Sequence, residues 1–169
     1  LKNGQFFSMS IGRLDEDSEG LLLLSTDGKM SYAVLSTSVE KEYYVQVDGI
    51  ITDKAIEQLQ AGVEIGIQGK KYTTQPCKAR KIEIPTLPER AKKIRDERHG
   101  PTSWASITMT EGKYRQVKKM TAAVGFPTLR LVRYRVDQLT IENMQAGEVE
   151  EITQKLNAYF PEVIQSHEQ

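Results

Sequence analysis

The strongest constraint on this chain is a period of two. In KEYYVQVDG (residues 41–49) and TLRLVRYRV (residues 128–136), aliphatic and aromatic side chains alternate with polar ones. Only an extended strand puts every second residue on one face. TSWASITMTEG (residues 102–112) reads as a third strand, and short β-like pieces separated by Gly66, Gly69 and Pro76 run from Val63 to Ile84. Helical signals are fewer. TDKAIEQLQAG offers Thr52 as an N-cap, Ile56 and Leu59 on one face and Gly62 just past its end. KYRQVKKMTAAVG reads as a helix ending before Gly125, and Asp27 stands where it would cap a helix from about Lys29 to Leu35. Several hairpin-forming strands with few helices predict an α+β fold: a mixed, largely antiparallel central sheet with flanking helices.

The 169 residues suffice for one domain with a real core. With 38% hydrophobic and 27% charged residues, the chain is a globular protein and not a disordered one. No apolar run reaches the ~18 residues of a membrane span, and LKNGQFFSMS lacks the pattern of a signal peptide. A single cysteine, Cys77, cannot form an internal disulfide; this fits a reducing, cytoplasmic setting, with Cys77 a small half-buried side chain. Without an initiator Met, the chain reads as a fragment lacking its N-terminal part. The net charge of zero hides an asymmetry. Residues 78–135 hold 15 Lys/Arg against 5 Asp/Glu, and the rest of the chain holds 8 against 18. Such a bias points to a polyanion on one face; the alternative is ordinary solvated surface charge.

IGRLDEDSEGLLLLSTDG (residues 11–28) packs Asp15, Glu16, Asp17 and Glu19 before Leu21 to Leu24. Ile11 to Leu14 reads as a short strand or strand end, and the run of leucines as a strand buried on both faces. A calcium loop would use Asp15, Asp17, Glu19 and Gly20 as positions 1, 3, 5 and 6, but its twelfth position is Thr26 and not a bidentate Glu. The two histidines, His99 and His167, belong to no zinc-spaced cluster, and no phosphate-binding loop or nucleophile elbow is present. The expectation is therefore no metal and no cofactor. Asp15, at the end of a rigid strand, can project a carboxylate, whereas Glu16, Asp17 and Glu19 lie in a solvated turn. A lone Asp there is more often a plain turn former than a nucleophile.

Two further stretches are basic. In KYRQVKKM, a 100° step per residue puts Arg115, Lys118 and Lys119 on one face and Val117, Met120, Thr121 and Val124 on the packing face. PTLPERAKKIRDERHGP (residues 85–101) carries Arg90, Lys92, Lys93, Arg95 and Arg98 among three prolines and reads as a mobile basic loop. Either stretch suits a polyanion; either is also what a solvated charged surface looks like.

Taken together, GRLDEDSEGLLLLSTDG, KEYYV and EGKYRQVKKM resemble, in order, the three motifs of the RsuA family of pseudouridine synthases. The resemblance runs from Gly12 to about Glu151 and is strongest to members acting on large-subunit ribosomal RNA. It implies the catalytic fold of that family over residues 1–169 and isomerisation of one uridine of ribosomal RNA, without cofactor. It implies Asp15 as the essential aspartate and Tyr43 as the residue against the target base. Lys118 falls where the wider superfamily has an arginine paired with the aspartate. Arg13, Lys41, Arg90, Lys92, Lys93, Arg95, Arg98, Arg115, Lys119 and Arg133 are the expected RNA contacts. The family also has an earlier strand with a Lys-Pro pair, which this chain starts too late to include. The alternative is a non-catalytic RNA-binding protein using the same basic face.

Overall fold

The computed structural model describes residues 9–29, 39–90 and 92–155. Its centre is β4 (Lys41–Asp48), hydrogen-bonded antiparallel on one side to β8 (Thr102–Met109) and on the other to β9 (Thr128–Val136). The sheet continues through β7 (Lys78–Ile82) beyond β8 and β10 (Leu139–Thr140) beyond β9. One strand departs from the antiparallel rule: β2 (Glu19–Gly20) lies parallel to β9. Among the described residues two small antiparallel pairs accompany this sheet, β1 (Met9–Ile11) with β3 (Leu23–Ser25), and β5 (Glu64–Ile67) with β6 (Lys70–Thr73). The largely antiparallel α+β architecture is thus as its strand periodicities predict.

Two helices cover one face of this sheet. Helix α1 (Asp53–Ala61) starts where predicted: the Thr52 hydroxyl accepts the Ala55 N–H at 3.1 Å, and Gly62 ends it at φ 102°. Helix α2 (Gln116–Ala123) buries Val117, Met120 and Thr121 as its 3.6-residue period requires. Their apolar sides meet Val45 and Val47 of β4, Ala105 and Ile107 of β8 and Leu131 of β9 in the main core. Cys77 is half-buried; its thiol donates to the Leu59 carbonyl, and burial pushes its pKa up to about 11.

Two local expectations are corrected. The leucine run is not buried on both faces: Leu21 is covered, but Leu22 and Leu24 are 43% and 53% exposed. Leu21 and Leu23 face a second cluster with Ile11, Val136 and Leu139, while the alternate residues Leu22 and Leu24 point to the other face of the strand. Strand β1 stops at Ile11, since Gly12 takes a positive φ of 73°; Asp15 therefore sits in a turn and not on a strand end. Most of the helix expected at 29–35 lies outside the described residues. At its start the Asp27 carboxylate accepts the Lys29 N–H at 2.9 Å, as a cap does.

Candidate active site

The acidic segment leaves β1 at Gly12, and the Ser18 N–H donates to the Asp15 carbonyl at 2.9 Å to close a turn. Past the turn, Glu19 and Gly20 join the edge of β9, beside Val132 and Arg133. Gly20 is required there. At its φ of +112° a Cβ would lie 2.3 Å from the Arg133 carbonyl oxygen and 2.6 Å from its nitrogen.

Arg133 completes the anchorage. It is 7% exposed, and its Nε donates to the Leu21 carbonyl at 2.8 Å and its Nη1 to the Arg13 carbonyl at 3.3 Å. The Leu21 N–H in turn donates to the Arg133 carbonyl at 2.9 Å. Expected to contact RNA phosphates, Arg133 instead grips the backbone on both sides of the acidic turn. A guanidinium suits this task because its fan of donors reaches two carbonyls at once.

The turn overhangs a cavity of about 590 Å³ at one end of the helix-covered sheet face. Six residues singled out in the sequence line it: Arg13, Asp15, Lys41, Tyr43, Arg115 and Arg133. Its size falls in the ~300–1,000 Å³ range of sites that enclose a small organic group. Burial raises the Tyr43 phenol pKa, a shift that the nearby Asp15 carboxylate reinforces and Arg133 opposes. The phenol thus stays protonated at neutral pH, and its hydroxyl remains a donor. Burial also lowers the pKa of Lys41, with repulsion from Arg133 acting in the same direction. The Lys41 ammonium is aimed by a 3.2 Å bond to the Thr110 carbonyl.

Lys118 departs from its expected pairing. Its ammonium bonds Asp17, not Asp15, and Arg115 reaches the other Asp17 oxygen at 3.4 Å. The reason is steric reach: the turn folds Asp17 toward α2 and Asp15 toward the cavity, which neither Asp17 nor Lys118 lines. Arg115 and Lys118 share Asp17, and Lys119 does not join them. Arg115 precedes the helix in the left-handed region at φ 51°, and Lys119 donates to the Gly66 carbonyl at 2.8 Å.

The Lys118 bond, helped by Arg115, lowers the Asp17 carboxyl pKa to about 2. A lowered carboxylate adds stability above its unfolded value of 3.8 and loses it as pH falls through about 2. With Asp17 half exposed, the gain is modest. In Lys118→Met the Asp17 pKa rises from about 2 toward 3.8, with Arg115 holding it partly down; side-chain carboxyl NMR titration measures this. An unmoved pKa would contradict the pairing.

The 85–101 segment is also more engaged than its composition predicts. Arg90 lies 3.6 Å from Glu19 and donates to the Leu129 carbonyl at 3.3 Å. Arg95 bonds Asp48 at 2.7 Å, and Arg98 bonds Asp96 at 2.6 Å. Arg90 and Arg95 are thus tied to the body of the protein, while Lys92 and Lys93 are exposed.

Sequence reasoning missed Asp17 as the partner of Lys118, and it missed Glu111, Tyr114 and Gln116, which also line the cavity. The signal for the last three is their position within EGKYRQVKKM. Among the described residues no group of three or more His, Cys, Asp or Glu is placed to hold a metal, and no helix is long and apolar enough to cross a membrane.

A fold with these three motifs around one cleft has known counterparts. This chain belongs to the RNA pseudouridylate synthase family, whose profile matches residues 1–123. Ribosomal large subunit pseudouridine synthase E of Vibrio parahaemolyticus is 43% identical over 143 residues, covering 83% of this chain and 58% of that protein. The Xanthomonas campestris pv. campestris protein of the same name is 41% identical over 140 residues, covering 81% and 73%. The crystal structure of a pseudouridylate synthase superposes with a TM-score of 0.69 at 28% identity, covering 90% of this chain and 59% of that one. This chain thus spans about three-fifths of the length of its Vibrio relative.

Proposed function

We propose that this chain, as one catalytic domain, isomerises a uridine of ribosomal RNA to pseudouridine. The names of its relatives point to RNA of the large subunit as the substrate. The single observation that carries this reading is the meeting of Asp15 and Tyr43 in one basic-walled cavity, from loops and strands far apart in the chain.

The target uridine leaves its stack and enters this cavity. Asp15 acts at the ribose, either by adding to C1′ or by taking the C2′ proton. By either route the C1′–N1 bond breaks, the uracil turns and a C1′–C5 bond forms, with Asp15 either leaving C1′ or returning the proton to C2′. The C5 proton departs to water and N1 regains a proton. Tyr43 supplies a ring for the base to lie against and a protonated hydroxyl to donate. Arg13, Lys41 and Arg115 give the cavity a positive wall for the RNA backbone. Lys118 acts at one remove: by holding Asp17 it fixes the turn that carries Asp15. Lys92 and Lys93, with Arg98 at the loop's end, are the members of the 85–101 segment best exposed to reach phosphates.

Because C5 loses its hydrogen only if the glycosidic bond is remade, RNA tritiated at uridine C5 provides the test. Release of one tritium per RNA molecule bearing the target is the expected result. Tight RNA binding without tritium release would favour a non-catalytic RNA-binding role for the same basic face.

A further inference from the structure

Tyr114 is 65% exposed, yet it borders the cavity that holds Asp15 and Tyr43. An aromatic ring this open at the edge of a cavity has a face on which an occupant can stack. The backbone that presents it is held firmly. The Lys113 N–H donates to the Gln116 side-chain oxygen at 3.0 Å, and the Gln116 N–H donates back to the Lys113 carbonyl at 3.1 Å. Gln116 is itself fixed by Glu111 at 3.1 Å. The next residue, Arg115, takes the left-handed conformation that most side chains avoid. The Lys119 ammonium lies 5.3 Å from the Tyr114 ring centroid, and its bond to Gly66 holds it there. One ring face is thus backed by a cation and the other is open, at the mouth of a positively charged cleft.

We infer that Tyr114 is a stacking platform for an unpaired RNA base neighbouring the uridine that enters the cavity. This rests on the isomerase reading of the same site. Flipping a nucleotide leaves its neighbour without a stacking partner, and a fixed aromatic face restores that contact for any base. A platform whose backbone is already held in position loses less freedom on binding.

The test compares wild type, Tyr114→Ala and Tyr114→Phe for affinity over a salt series, on RNA with 2-aminopurine next to the target uridine. Wild-type tritium release is measured in parallel. Tyr114→Ala is expected to weaken binding about 5- to 150-fold with an unchanged salt slope, because no phosphate contact is lost. The 2-aminopurine emission, quenched by wild type, is expected to stay bright. Tyr114→Phe is expected to match wild type in both. Wild-type affinity in Tyr114→Ala would overturn the inference, as would equal loss in Tyr114→Phe, which assigns the role to the hydroxyl. If the binding pattern holds but wild type releases no tritium, the platform stands and the isomerase reading fails.

Discussion

Asp15→Asn is expected to lower turnover by ~10³-fold or more, while RNA affinity stays within about twofold of wild type. The substitution keeps the shape of the side chain and removes the negative charge that either route at the ribose requires. Binding rests on other groups: Arg13, Lys41 and Arg115 line the same cavity. Any change in affinity is toward tighter binding, since a carboxylate facing a polyanion is lost. The turn also survives, because it is closed by the Asp15 carbonyl accepting from Ser18 and not by the carboxylate. Tritium release under single-turnover conditions and filter binding on the same preparation check both halves. Residual turnover within tenfold of wild type would remove Asp15 from the chemistry.

The second large effect is structural. Gly20→Ala places a Cβ 2.3 Å from one backbone atom of Arg133 and 2.6 Å from another. Neither can move as a flexible side chain would, because β9 is hydrogen-bonded to β4 along its length. Strained backbone alone costs ~1–3 kcal/mol. Parting β2 from β9 also loosens the Leu21 and Arg13 carbonyls that Arg133 holds. A loss of about 3 kcal/mol or more is expected, a fall in Tm on the order of 6–12 °C for a chain this size. If the protein relieves the clash by releasing the turn, Tm falls less and turnover is lost instead, with Asp15 unplaced. Gly66→Ala is the control, because a Cβ there meets nothing within 4 Å. Wild-type Tm together with wild-type turnover in Gly20→Ala would show that the turn does not depend on this contact.

Much of the fold is legible because its signals are local. The alternation in residues 41–48 and 128–136, the Thr52 cap and the Gly62 stop each act within a few residues, and each lies where the sequence puts it. The family motifs are legible for a related reason, since each is a short run with its own chemistry. The leucine run is not legible in this way because burial belongs to neighbours: the second cluster covers the face of Leu21 and Leu23, and among the described residues Leu22 and Leu24 stay exposed on the other.

The roles of the charged residues were decided elsewhere. In the sequence, Arg133 and Arg135 are two apart on one strand and should share a face. In the protein Arg133 sits opposite Tyr43 while Arg135 sits opposite Glu42, because the register shifts between those two residues of β4. That one irregularity sends Arg133 to the cavity side, where it holds the acidic turn. It sends Arg135 to the other side, where Glu40 and Glu42 take it at 2.7 and 3.2 Å. Likewise, the choice of Lys118 between Asp15 and Asp17 depends on how the turn lies against α2, a contact across 101 residues of chain. Composition and spacing determined that this chain has strands, two capped or stopped helices, a basic half and an acidic turn. Which cation meets which carboxylate was settled only by tertiary packing, because an ion pair depends on distances of a few ångströms that a bulge or a turn can create or remove.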